Sequence, residues 1–131
     1  MIPSRLVVDT SVLVAATLSY ESNHQTAEAL MRNLDARQLE VIVPALLIPE
    51  VMSALQRNRY PLARIRQLIV AYRASRMIVV PVDLDLAEEA GEIAMLQGTK
   101  GGDSVFLALA RLLAVPLITL DREQQARAPA D

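Results

Sequence analysis

Four acidic residues stand where carboxylates can act together. Asp9 closes the apolar run Arg5-Leu6-Val7-Val8, and Asp121 follows the apolar stretch Pro116 to Leu120. Glu50 and Asp103 lie at or near the starts of apolar helical stretches, in IVPALLIPEVMSAL and GGDSVFLALA. Each acid is thus tied to a segment that must be buried. In an open parallel α/β sheet, strand ends and the helix starts that follow them share one edge, so the four can converge on one cleft. Clustered carboxylates repel one another and lose hydration, so either some take up protons or a cation sits among them. Oxygen donors with no Cys or His in the motifs favour a hard divalent ion, Mg²⁺ or Mn²⁺. Such an ion can lower the pKa of a bound water, orient it, and stabilise charge on phosphorus and a leaving oxygen. Thr10, Ser11, Ser104 and Thr119 stand beside the acids and could steady a carboxylate by hydrogen bonding.

The elements that must position these groups read as strands alternating with helices. Arg5 to Val8 is a short apolar run suited to a buried parallel strand, and Ser11 to Leu18 reads as a helix. After Ser22 or Asn23 as cap, Ala27, Leu30, Met31 and Leu34 recur at helical spacing. Val41 to Val43 is a second strand closed by Pro44, and Ala45 to Arg57 a helix with Ile48, Val51, Met52 and Leu55 on one face. A start near Leu46 tolerates Pro49, because first-turn amides have no partner to lose. Pro61 opens a helix with the stripe Leu62, Ile65, Ile69 and Tyr72. Met77 to Val82 is a third strand, and Asp85 with Glu88 resembles a capping box for a helix ending near Gly98. Residues 99–102 read as a loop, Ser104 to Ala114 as a helix buried almost all round, and Pro116 to Leu120 as a fourth strand. The expected architecture is a three-layer α/β sandwich, one domain over residues 1–131. It has a mostly parallel central sheet of four or five strands, helices on both faces, and a frayed polar tail over about 124–131.

Composition narrows the chemistry further. With no cysteine, disulfides, thiolate metal sites and cysteine nucleophiles are excluded. No uncharged run approaches the roughly 20 residues a membrane span needs. Asp9 inside the first apolar stretch argues against a signal peptide, so a soluble, cytoplasmic protein is expected. The net charge of −2 conceals an asymmetry: six arginines and no acid lie between Val51 and Val82, which leaves the remainder at −8. Arg57, Arg59, Arg66 and Arg73 are the candidates here for contact with a phosphate backbone or an acidic partner segment; a solvated face is the ordinary alternative. Arg59, Arg66 and Arg73 are spaced by seven and would project from a similar side as far as a helix extends.

The stretches VVDTSVLVA, IVPALLIPEVMSAL, GGDSVFLALA and PLITLDRE, in this order, resemble the four acidic motifs of the PIN-domain ribonucleases. They are most similar to the VapC-like toxins of toxin–antitoxin modules, and the likeness covers nearly the whole chain. Each motif is weak alone; four in order make a strong signal. The resemblance implies a Rossmann-like fold and a metal-dependent endoribonuclease. Asp9, Glu50, Asp103 and Asp121 would bind Mg²⁺ or Mn²⁺, with Ser11 and Thr119 at hydroxyl positions beside them. It also implies an RNA substrate, a small cognate antitoxin and a homodimer. Many relatives continue into a further apolar strand, whereas this sequence continues past Asp121 in polar residues.

Ordinary explanations compete at every position. Asp103 could cap a helix, Glu50 could favour a helix dipole, and Asp9 and Asp121 could begin turns. Asp83 and Asp85 read as turn and cap residues, and the single histidine, His24, as a solvent-facing residue near a helix start. Other functions compete as well: a non-catalytic interaction module, or a receiver-like phospho-acceptor domain. Receivers usually carry an acidic pair after the first strand, where this chain has Asp9-Thr10, and haloacid-dehalogenase-type phosphatases need an acid at the position of Ser11.

Overall fold

A computed structural model of the chain describes residues 4–121. In chain order its elements are β1 (Arg5–Val8), α1 (Thr10–Thr17), α2 (His24–Ala36), β2 (Glu40–Pro44), α3 (Leu47–Arg57), α4 (Leu62–Ala74), β3 (Ile78–Val80), α5 (Leu84–Gln97), α6 (Gly101–Leu113) and β4 (Leu117–Ile118). The expected tail over 124–131 lies outside the described residues.

All strand pairings are parallel, and the strands lie side by side in the order β3-β2-β1-β4. From β1 the chain steps outward to β2 and β3, then returns across the sheet to β4 on the other side of β1. Right-handed crossovers therefore put α1 to α4 on one face and α5 and α6 on the other. The register pairs Leu6 with Val41 and Val7 with both Ile42 and Leu117. β1 is thereby central and almost wholly buried, which carries Asp9 out of the middle of the sheet.

The core is aliphatic. Ser104 to Ala110 of α6 are all buried, because this helix lies against β1 and β2 on one side and α5 on the other. Phe106, with no exposure, is its bulkiest filler. α3 buries Leu47, Val51 and Leu55, spaced by four.

Several local expectations need correction. The third strand is only Ile78–Val80, since it is an edge strand and Pro81 offers no amide to extend the ladder. The fourth strand stops at Ile118, where Thr119 leaves the sheet to bond elsewhere. Gly101 and Gly102 belong to α6 rather than to a loop. Asp83, not the Asp85/Glu88 pair, caps α5, accepting from the Leu86 amide at 2.9 Å; Gly98 then ends that helix in the left-handed region. Leu62 is 58% exposed, so the stripe of α4 begins at Ile65. Asn23 occupies the cap position of α2 without using its side chain. His24 is not solvent-facing: its Nδ1 is 2.8 Å from the Ala15 carbonyl oxygen, tying the start of α2 to α1.

Candidate active site

The carboxyl end of the sheet opens into a cleft of about 440 Å³ between α1, α3 and α6, and Asp9, Glu50, Asp103 and Asp121 all line it. They arrive from separate elements. Asp9 ends β1 and caps α1, Glu50 sits in the first turn of α3, Asp103 in the first turn of α6, and Asp121 follows β4. The topology explains the meeting: in a parallel sheet each of these junctions falls at the same edge.

Asp9 is the most enclosed of the four, at 4% exposure. Its Oδ2 accepts from Ser11 Oγ at 2.7 Å, from Thr119 Oγ1 at 2.9 Å and from the Ser11 amide at 3.3 Å. The two hydroxyls are themselves 3.3 Å apart. Ser11 Oγ also accepts from the Leu120 amide, and Thr119 Oγ1 from the Asp121 amide, both at 3.0 Å. One web thus fixes the first acid and the backbone of the last. Since these donors all meet Oδ2, Oδ1 keeps its lone pairs for whatever enters the cleft.

Glu50 and Asp103 are less enclosed than Asp9. Thr10 Oγ1 donates to Glu50 Oε1 at 2.7 Å. Burial raises the Glu50 pKa above its ordinary value, the Thr10 hydrogen bond partly offsets this, and the Asp9 charge adds to the rise. Asp103 is also raised, first by burial, then by the charges of Asp9, Asp121 and Glu50, with Lys100 opposing. The acids are close enough to feel one another.

Gly102 lets α6 approach α3: a Cβ there would stand 2.5 Å from Glu50 Oε2. Nothing in the chemistry of a glycine marks it for a site, and only the doublet before Asp103 hints at close approach. Ser53 is a second lining residue that sequence reasoning did not single out. Ser104, grouped with the supporting hydroxyls on sequence, instead donates to the Lys100 carbonyl oxygen at 2.9 Å and bonds Thr99.

Among the four candidate arginines only Arg57 lines the cleft, steadied by Nη1 donating to Ser53 Oγ at 2.6 Å. Arg59 falls in the turn before α4 with φ of 60°, so the spacing of seven does not carry a helical phase back to it. Arg66 lines a separate groove with Met52 and Ile65, and Arg73 lies in the last turn of α4.

Among the described residues, no three His, Asp or Glu side chains are drawn together closely enough to hold a metal ion as they stand. The donor set nevertheless fits a hard divalent ion: it is all oxygen, lines one cleft, and carries repulsion at Asp103 that a cation would relieve.

A parallel sheet with strand order 3-2-1-4 and an acid-lined cleft at its carboxyl end defines an open α/β class. The chain belongs to the PIN domain family, whose model matches residues 6–130. Its fold is similar to that of Mycobacterium tuberculosis VapC20, described as a toxin cleaving the sarcin–ricin loop: TM-score 0.75, 24% identity, covering 92% of this chain and 93% of that one. It is also similar to a chain of a toxin–antitoxin complex from Klebsiella pneumoniae, with TM-score 0.68, 20% identity, and 95% and 96% covered. A third similar chain comes from VapBC2 of Rickettsia felis bound to a promoter DNA fragment, with TM-score 0.70, 12% identity, and 95% and 93% covered. At these identities the likeness is one of fold. No curated protein matches the chain in sequence. No helix among the described residues is long and apolar enough to cross a membrane.

Proposed function

We propose that this chain is a divalent-metal-dependent endoribonuclease that hydrolyses RNA phosphodiester bonds and serves as the toxin of a toxin–antitoxin pair. The observation that carries this reading is the meeting of Asp9, Glu50, Asp103 and Asp121, from four separate junctions, in one cleft. Asp9, Glu50 and Asp103 would hold Mg²⁺ or Mn²⁺, with Asp121 supporting a second ion or orienting water. When bound, the ion supplies Lewis-acid activation of water and neutralises phosphate charge. The Ser11 and Thr119 hydroxyls orient Asp9, and Thr10 orients Glu50, so that the carboxylates hold their positions as substrate enters. Arg57 is the basic residue placed to meet a phosphate at the rim. Hydrolysis in line leaves a 5′-phosphate and a 3′-hydroxyl.

The fold likeness to VapC20 and to chains of toxin–antitoxin complexes supports a small antitoxin as partner and an action on RNA. A homodimer in the cytoplasm is part of the same reading. A receiver-like domain is disfavoured by the strand order: in the flavodoxin-like order 2-1-3-4-5 β1 separates β2 from β3, whereas here β2 lies between β3 and β1. The test is cleavage of structured RNA with Mg²⁺ or Mn²⁺ by the wild type and by Asp9→Asn. Metal-dependent cleavage by the wild type alone is expected. Equal cleavage by both defeats the mechanism, and no cleavage together with no acid-dependent metal binding by calorimetry would instead indicate a non-catalytic module.

A further inference from the structure

Beside the acid-lined cleft lies a second depression of about 310 Å³. The two share Thr10, Ser11 and Ala54 as a common wall, so a chain lying in the cleft passes directly into it. The remaining walls are chemically divided. Val14, Ala15 and Leu120 form an apolar side, and Glu21 and Asn23 a polar one. The volume is at the lower end for a small-molecule site, which suits one planar heterocycle rather than a peptide helix.

The segment bearing the two polar residues is pinned. His24 Nδ1 lies 2.8 Å from the Ala15 carbonyl oxygen, and the Glu21 and His24 amides donate to Leu18 and Glu21 carbonyls at 3.1 and 3.0 Å. On the outer side, Tyr20 donates its hydroxyl hydrogen to Asn58 Oδ1 at 2.6 Å, joining this turn to the end of α3. Glu21 and Asn23 nevertheless use no side-chain hydrogen bond among the described residues. A pinned backbone, unused polar groups and an apolar wall together describe a recognition pocket rather than a folding contact.

Resting on the ribonuclease reading, we propose that this depression is a nucleobase subsite for the unpaired residue adjoining the scissile phosphate, and that it favours guanine. RNA bases splayed from a single strand are read on their Watson–Crick edges while their faces pack on apolar or aromatic groups. A carboxylate only accepts hydrogen bonds, and guanine alone presents two adjacent donors, N1–H and the N2 amino group. The Asn23 amide supplies the donor that guanine O6 requires. Adenine and cytosine present a donor beside an acceptor, and uracil a single donor between two acceptors, so each leaves Glu21 facing a lone pair or short of a partner.

Two measurements test this. With the Asp9→Asn variant, which keeps the pocket and needs no chemistry, nuclear magnetic resonance titration with guanosine and adenosine reads binding directly. Guanosine should bind more tightly, about tenfold, with shifts at Ala15 and Glu21, and Glu21→Gln should abolish the preference. Cleavage of short RNAs varied at the residue next to the cut should show the same ranking, with Glu21→Gln lowering the guanine-to-adenine ratio of kcat/KM about tenfold while slow cleavage of other bases persists. Equal binding of both nucleosides, no binding, or an unchanged ratio in Glu21→Gln overturns the proposal and leaves the pocket to a side chain of a partner protein. A guanosine preference in a protein that cleaves no RNA would keep the subsite and discard the ribonuclease reading.

Discussion

The two walls of the acid-lined cleft are built differently. The wall formed by β1, the start of α1 and the exit from β4 is tied, around the buried Asp9 and Thr119, by a web in which Asp9, Ser11, Thr119 and three backbone amides share hydrogen bonds. The facing wall, from the first turns of α3 and α6, carries Glu50 and Asp103, each half-buried and each with a raised pKa. Satisfied hydrogen bonds make the first wall a fixed reference. Burial and mutual repulsion make the second wall responsive to protons and cations. A cleft with one rigid and one adjustable side can close on an ion without disturbing the core behind it.

The largest expected effect lies on the rigid wall. Asp9→Asn keeps an oxygen to accept the helix-capping bond but loses the charge, so RNA cleavage should fall more than about 100-fold, beyond what loss of an outer partner brings. Circular dichroism should show the fold unchanged, and a loss under tenfold would show that Asp9 is structural only. Thr119→Val comes next: it removes a buried donor to Asp9 and the acceptor for the Asp121 amide, and should cost about 1–3 kcal/mol in denaturant unfolding. Combining it with Ser11→Ala should give a non-additive total, because both hydroxyls serve one oxygen. Strict additivity would dissolve the idea of a single web.

Smaller effects are expected on the adjustable wall, and with the opposite sign. For a carboxylate whose folded pKa lies above its unfolded value, the folded state binds more protons in that range, so stability falls as pH rises through it. Metal-free protein should therefore gain stability as pH is lowered from neutrality toward the ordinary carboxylate range, and Asp103→Asn should flatten that slope. Thermal melts in chelator across pH read both, and a steeper slope in the variant would reverse the assignment. The smallest effect is expected of Thr10→Val, which removes the hydroxyl that favours charged Glu50; metal affinity should weaken about 10-fold by calorimetry. An unchanged affinity would mean that Thr10 does not steady a ligand.

Much of this arrangement was legible because it follows from local rules. Apolar runs ending in Asp, and acids at helix starts, mark one edge of a parallel sheet, and strand and helix order could be read from periodicity alone. What escaped depended on tertiary geometry. The spacing of Arg59, Arg66 and Arg73 suggested one face, but Asn58 to Tyr60 turn through a left-handed residue and break the phase. His24 looked exposed because its acceptor is a backbone carbonyl in another helix, which no side-chain pattern reveals. The pairing of Ser11 with Thr119, 108 positions apart, could be guessed from proximity to the acids, but their sharing of one carboxylate oxygen depends on the β1–β4 register.

The absence of a side chain at Gly102 has a consequence of its own. An alanine methyl there would meet the mobile end of Glu50 rather than backbone, so the chain could still fold by swinging that carboxylate aside. Alanine also favours a helix over glycine by up to about 1 kcal/mol, so the variant should be no less robust to heat. The approach of α6 to the Glu50 carboxylate is therefore gauged by a hydrogen atom, and a protein sturdier by one carbon would carry that carboxylate elsewhere in the cleft.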